Sequence, residues 1–147
     1  MCCKKIISYF DKPGTLSKKK VPAKIQQAFI YNFPNIKKAK WRIEEADLYA
    51  ADFIDINNEN VSAYFNSEGV LVELSILKSF DKLNASLIKK INSQFNSTEI
   101  EDIIEVRDYY NDEIFYVVNI VKDNERAEKF GKMMLSPLKI FPFTILE

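Results

Sequence analysis

The sequence predicts an α+β protein built from two tandem repeats, each of one helix followed by a four-stranded antiparallel meander. One apolar stripe at helical spacing runs through Ile25, Phe29 and Phe33. After it the chain changes to short, largely alternating apolar and polar stretches separated by turn residues, which is typical of antiparallel strands. The same stripe then recurs 62 positions later, as Leu87, Ile91 and Phe95. A pattern that returns in the same register indicates an internal repeat.

The first helix is predicted between Pro22 and Phe33. Proline suits the first helical position, where its missing N–H costs nothing. Pro34 ends the helix because the residue before a proline is disfavoured in the α region. Trp41, the only tryptophan, comes early in the next strand, and we expect it to pack against the helix or a neighbouring strand.

Four strands are predicted after this helix. Asn57-Asn58 and Asn66 to Gly69 supply the turns, because Asn and Gly tolerate positive φ. The strands cover residues 39–43, 48–56, 61–65 and 70–77.

The second repeat starts with a helix over residues 83–95, and its strands match the first copy less well. Pro142 argues for an edge or broken final strand. The strands are predicted over residues 103–110, 114–122, 125–135 and 138–146.

These patterns divide the 147 residues into three segments. Residues 1–20 are an N-terminal arm, residues 21–77 the first repeat and residues 83–147 the second, divergent repeat. We expect the repeats to form one compact structural domain.

Composition excludes several classes of function. The net charge is zero and there is no histidine, so histidine zinc sites, Ser-His-Asp triads and histidine general bases are ruled out. Balanced charge argues against nucleic-acid binding, which depends on clustered positive charge. The only cysteines, Cys2 and Cys3, are adjacent and imply no disulfide framework. The sequence indicates no enzyme, no cofactor and no metal.

The amino terminus does not read as a leader. The apolar run Ile6 to Phe10 is shorter than a secretory signal requires, and no stretch approaches the length of a membrane span. A cytoplasmic location follows if Met1 is the native start. The alternative is that a leader was removed, in which case the location is expected from the family resemblance described next.

Three segments carry a family resemblance: residues 21–41, with the Val21-Pro22 start and Trp41 end, residues 49–53 and residues 61–71. Together they resemble the β-lactamase-inhibitor-like, PepSY-like proteins of Bacteroidetes-type bacteria. The match is good over residues 21–74 and fades after the second helix. The resemblance implies that the two sheets join into one curved sheet with both helices on one face, and it implies a periplasmic location. The inhibitor label is a fold analogy and carries no activity by itself.

The remaining candidates for function lie on the sheet face opposite the helices. The carboxylates beside predicted turns, among them Asp52, are interpreted as solvated. By contrast, the strand around Tyr116 carries apolar side chains at successive positions, so both of its faces are apolar. Tyr64 and Tyr110 add rings to the face away from the helices. Apolar patches of this kind mark interaction sites.

We therefore expect a non-catalytic binding module that engages a protein or peptide partner through Tyr64, Tyr110 and Tyr116, with an inhibitory role left open. The alternative is a sensor or carrier of a small apolar ligand on the same face. The N-terminal arm, a second copy in a homo-oligomer or sheet curvature would also cover such a patch.

Overall fold

The computed structural model describes residues 15–45, 47–96, 100–122, 125–135 and 144–146, with side-chain surroundings given up to residue 120. The chain divides between Ser75 and Ile76 into two compact units. Each unit contains one α-helix and antiparallel strands. The predicted α+β class with antiparallel strands is confirmed.

The first unit contains one α-helix, α1, which starts after Pro22 and ends at Asn32, two residues before Pro34. The exposed residues Lys18–Lys20 form a short 3-10 helix. The elements of the first unit are β1 (Thr15–Leu16), α1 (Ala23–Asn32), β2 (Lys40–Glu45), β3 (Leu48–Ile54), β4 (Asn60–Asn66) and β5 (Leu71–Lys78). Strand β5 crosses the division between the units.

Antiparallel pairing fixes which side chains share a face of the first unit's sheet. Trp41 is opposite Ala51, which is opposite Ala63. The alternate positions Lys40, Asp52 and Ser62 are aligned in the same way. Because successive side chains point to opposite faces, these two rows lie on opposite sides of the sheet.

The row that contains Trp41 faces α1. The ring of Phe29 lies 5.4 Å from Trp41, 5.5 Å from Phe53 and 6.4 Å from Phe65, all in edge-to-face arrangements. Aromatic pairs of this geometry stabilise by about 0.5–1.5 kcal/mol beyond their buried area. Trp41 is buried in this core, which confirms its interpretation as a packing residue.

The turns of the first unit have the backbone that their residues indicate. Asn58 has a φ of 62° and Gly69 a φ of 81°. The Asp55 carboxylate accepts hydrogen bonds from the backbone N–H groups of Asn57 and Glu59, both at 2.9 Å. The β3–β4 turn is therefore held by its own first residue, as an Asx turn is.

The second unit repeats the plan of a helix on a sheet. Asn84 caps its helix by accepting a hydrogen bond from the backbone N–H of Leu87 at 2.8 Å. The elements are α2 (Ala85–Gln94), β6 (Ile100–Asp108), β7 (Glu113–Lys122), β8 (Glu125–Leu135) and β9 (Thr144–Leu146), preceded by a 3-10 helix at Phe80–Lys82. The stripe of α2 packs on one face of β6 and β7, in a core formed by Leu83, Leu87, Ile91, Phe95, Ile103, Tyr116, Val118 and Ile120.

Some local predictions differ from the structure, and one falls largely outside the described residues. The end of the N-terminal arm is a strand, β1, paired with β2 at Trp41 and Arg42. Strand β6 begins three residues earlier than predicted and ends at Asp108, so Tyr109 and Tyr110 lie in the turn that follows. Of the predicted final strand, only Thr144–Leu146 falls within the described residues. Four strands per repeat in one curved sheet stays a prediction.

Candidate functional site

A buried polar cluster lies on the face of the first unit's sheet that points away from α1. We call it the Arg42 cluster: Arg42 and Glu44 on β2, Asp52 on β3, and Ser62 and Tyr64 on β4. Arg42 is opposite Ala50, which is opposite Tyr64, while Asp52 is opposite Ser62. The alternation of strands therefore brings all five side chains to one face.

Arg42 is the centre of the cluster. Its Nε donates to Asp52 Oδ2 at 2.7 Å and its Nη2 to Asp52 Oδ1 at 3.1 Å, a bidentate pair. The same Nη2 lies 3.2 Å from the Tyr64 hydroxyl, and Nη1 pairs with Glu44. Ser62 donates to Asp52 Oδ1 at 2.6 Å. Only 2% of the Arg42 side chain and 10% of the Asp52 side chain is exposed.

Burial and the neighbouring charges shift the pKa values of Arg42 and Tyr64 in opposite directions. Burial acts to lower the pKa of Arg42, but the hydrogen bond to Asp52 and the contacts with Tyr64 outweigh it, so its pKa is raised. Burial raises the pKa of Tyr64, and the nearby Arg42 only partly offsets this. At neutral pH the cluster therefore contains a charged guanidinium and a neutral phenol.

The chemistry of the Arg42 cluster is structural. The guanidinium is already bound by two carboxylates and the phenol. Ser62 donates to the Asp52 carboxylate, but Arg42 stabilises the ionised form of that carboxylate and so makes it a weak base for activating the hydroxyl group. We therefore interpret the cluster as a polar tie across β2, β3 and β4.

A smaller polar group occupies the helix-facing side of the second unit's sheet. The Tyr116 hydroxyl donates to Glu105 Oε1 at 2.6 Å, and Arg107 Nε donates to Glu105 Oε2 at 2.8 Å. Burial acts to lower the pKa of Arg107, but its bond to Glu105 more than compensates and the pKa is raised. Tyr116 is thus both a core ring and the partner of a buried carboxylate.

One exposed feature with the chemistry of a contact site is the turn between β6 and β7, residues 109–112. Tyr110 is 86% exposed and Tyr109 is 47% exposed. Asp108 holds the turn: its Oδ1 accepts from the backbone N–H groups of Tyr110 and Asn111 at 2.9 and 3.1 Å, and its Oδ2 from the Asn111 side chain at 2.9 Å. The two rings therefore project from an ordered backbone.

The three tyrosines predicted for an open face have different environments. Tyr64 is 1% exposed, because its hydroxyl contacts Arg42 inside the cluster. Tyr116 is 6% exposed, because it belongs to the core beneath α2. Burial thus corrects the expectation of an accessible ring at these two positions. Tyr110 is accessible, at a turn instead of on a strand.

The interpretation of Asp52 as a solvated carboxylate is wrong, because Asp52 is the main partner of Arg42. The same holds for Glu44, whose side chain is 11% exposed and pairs with Arg42. One signal was present: Arg42, Asp52, Ser62 and Tyr64 all stand at positions that alternate with large apolar residues. Alternation places them on one face, but it does not show that the face is buried.

The described residues were also searched for metal-binding groups and for membrane-spanning helices. Among them, no group of three or more acidic, cysteine or histidine side chains is placed to hold a metal ion. No helix in the described part of the chain is long and apolar enough to cross a membrane.

Comparisons with known proteins find similarity at the level of structure. A protein of the DUF2874 family from Bacteroides ovatus matches with a TM-score of 0.68 and 17% identity, over 84% of this chain and 86% of its own. A BLIP-like protein from Bacteroides fragilis matches with a TM-score of 0.67 and 15% identity, over 92% of both chains. The chain has the fold of the Bacteroides BLIP-like proteins. No family model and no curated protein matches the sequence.

The description of a third neighbour includes a location. This protein, from Bacteroides eggerthii and described as a candidate periplasmic protein, matches with a TM-score of 0.66 and 15% identity, over 85% of this chain and 88% of its own. None of these three descriptions names an enzymatic activity. They agree with the resemblance seen in the sequence, and they establish the fold alone.

Proposed function

We propose that this protein is a non-catalytic binding module that engages a protein partner through the β6–β7 turn. The observation that carries the proposal is Tyr110, a large ring almost fully exposed on a turn whose backbone is held by Asp108. The fold, which is shared with a BLIP-like protein from Bacteroides fragilis, supports a binding role.

The physical argument rests on pre-organisation. Tyrosine offers a large amphipathic surface with only two side-chain torsions, which is why it is frequent at binding hot spots. A ring on a backbone that is already ordered loses less entropy on binding than a ring on a mobile loop. Tyr109 beside it enlarges the apolar area.

The test compares two tyrosines that are equally exposed. Tyr110 and Tyr31 are each 86% exposed, the first on the β6–β7 turn and the second on α1. We expect Tyr110→Ser to weaken capture of the partner from a periplasmic fraction by at least about tenfold, the effect of about 1.4 kcal/mol. Tyr31→Ser should leave capture unchanged, and neither variant should lower the melting temperature by more than about 2 °C, as expected of surface changes.

Equal loss of capture in both variants would show that the binding depends on exposed rings in general. Unchanged capture with Tyr110→Ser would remove the turn from the proposed interface. Quantitative mass spectrometry of the captured proteins, with wild type as the reference, distinguishes these outcomes.

The alternative function, carriage of a small apolar ligand, relied on Tyr64 and Tyr116 as accessible rings. Both are buried in the described structure, so no observation on the described residues favours that function. Native mass spectrometry that finds a small molecule bound to the purified protein would restore it.

Two finer points belong to the same proposal. We propose that the two units are tandem repeats of one motif, supported by the matching stripes of α1 and α2. We also propose a periplasmic location, supported by the description of the Bacteroides eggerthii neighbour.

A further inference from the structure

Asp102 on β6 and Asn119 on β7 form a side-chain pair on the sheet face opposite the core of α2. They are direct partners in the strand register, and Asn119 Nδ2 donates to Asp102 Oδ1 at 2.6 Å. Two register irregularities lie next to the pair, both toward the start of β6 and the end of β7: one at Ile100/Asp102 between β6 and β7, the other at Ile120/Lys122 between β7 and β8. Bulges of this kind re-aim side chains, and they are frequent at functional positions.

The pair is incomplete as it stands. Asn119 Oδ1 is buried and has no hydrogen-bond partner within the described structure, and an unsatisfied buried acceptor is destabilising. An ionised carboxylate has no proton to donate, so ionised Asp102 cannot satisfy that oxygen. A protonated carboxyl group can, because it carries one O–H donor while its other oxygen still accepts from Nδ2.

We propose that Asp102 and Asn119 are a proton-controlled latch between β6 and β7. When Asp102 is protonated, its O–H donates to Asn119 Oδ1 while Asn119 Nδ2 donates back, giving the two hydrogen bonds of a cyclic acid–amide pair. When Asp102 loses the proton to solvent, one of these bonds is lost and Asn119 Oδ1 is left unsatisfied.

The electrostatic surroundings agree with this geometry. Burial raises the pKa of Asp102, the hydrogen bond from Asn119 partly opposes the shift, and the neighbouring Glu101 adds to it. On the neighbouring strands, Lys78 ends β5, and Lys132 and Glu128 each stand two residues along β8 from Phe130, the register partner of Asn119. Glu101 acts in the direction of the proposed latch.

The sign of the pH effect follows from the raised pKa. A carboxyl group that binds its proton more tightly in the folded state stabilises the fold while it is protonated. That contribution is complete below the unfolded-state pKa, and it is lost as pH rises through the folded-state pKa. The latch therefore closes on acidification and opens toward neutral pH.

The decisive variant is Asp102→Asn, because an asparagine at this position has both a donor and an acceptor and mimics the protonated acid at every pH. We expect it to raise the melting temperature at pH 7 by at least about 2 °C, and the gap from wild type to close as pH falls toward about 4. The matched control is Asp112→Asn, which removes the same charge from an exposed turn position. Its melting temperature should differ little from that of the wild type.

Two outcomes would overturn the latch. One is Asp102→Asn melting at or below wild type at pH 7, which would mean that Asn119 Oδ1 is satisfied in some other way, for example by a water molecule. The other is a gap between the two proteins that does not change with pH.

A second measurement needs no variant. Carbon-13 NMR of the wild-type Asp102 carboxyl group should titrate with the same midpoint as the side-chain amide protons of Asn119. Independent midpoints, or an Asn119 amide that does not respond, would also contradict the proposal.

Discussion

Arg42 is a charged side chain almost without access to solvent, and the carboxylates around it offset the free-energy cost of burying its charge. Removing one partner of a buried ion pair is costly because the other charge stays buried. In this cluster Asp52 makes the bidentate contact, and Glu44 supplies a second acidic partner.

We predict that Asp52→Ala lowers the free energy of unfolding by about 3 kcal/mol, near the low end for a broken buried pair because Glu44 remains. Urea denaturation, followed by tryptophan fluorescence, measures this directly. Asp47→Ala, at an exposed position of the same unit, should change the value by less than about 0.5 kcal/mol. A loss of under 1 kcal/mol at Asp52 would mean that the guanidinium finds water or another partner.

The same cluster shows why single residues are difficult to assign from sequence. Both Asp52 and Tyr64 follow the alternation that marks the face away from the helix, and that placement is correct. Every residue of β4 from Val61 to Phe65 is buried, however, so both faces of this strand are covered. Strand periodicity reports the face of a side chain and contains no information about what lies above that face.

At the scale of elements, the turn between β4 and β5 contacts the first turn of α1. Gly69 has a φ of 81°, and a Cβ atom at this position would lie 3.0 Å from Lys24 Cγ and 3.1 Å from the Lys24 carbonyl oxygen. The backbone conformation and the close approach both require glycine.

We predict that Gly69→Ala lowers the free energy of unfolding by at least about 1–2 kcal/mol, the cost of a left-handed conformation for a residue with a Cβ atom. Thermal unfolding followed by circular dichroism is a suitable measurement. Ser67→Ala changes an exposed residue of the same turn and serves as the control. Equal melting temperatures for the two variants would contradict the claim that α1 restrains this turn.

The elements that local chemistry specifies were the ones predicted well from sequence. Pro22 and Pro34 delimit α1, and positive φ at Asn58 and Gly69 forms the turns. The start of β6 was missed because the polar Glu101 and Asp102 interrupt its apolar pattern at a bulge. The turn at Tyr109 and Tyr110 was read as strand, because aromatic residues favour strands and the capping role of Asp108 has only a weak sequence signal.

At the scale of the whole molecule, the fold class followed from the repeated helix stripe and the turns, whereas the functional surface did not. Exposure depends on contacts between segments distant in sequence. Tyr64 and Tyr116 are both buried, although the alternation of their strands places their rings on one face without showing what covers it.

The absence of histidine gives the molecule a simple titration near neutral pH. Asp and Glu ordinarily titrate near pH 4, and Lys and Tyr near pH 10, so histidine is the side chain whose ordinary pKa lies between pH 5 and 8. With no histidine in the chain, few side chains of ordinary pKa change charge as pH rises from about 5 to 7, and burial raises the pKa of Asp102 toward this range.

We therefore predict that the melting temperature of Asp102→Asn varies by less than about 2 °C between pH 6 and 7.5. As pH rises from about 4 toward 7, the wild type should lose stability relative to the variant, because the pKa of Asp102 is higher in the folded than in the unfolded state. Differential scanning calorimetry in buffers of matched ionic strength tests both statements. A steep slope in Asp102→Asn itself would reveal a second titrating group, and the pH response could then no longer be assigned to the β6–β7 pair alone.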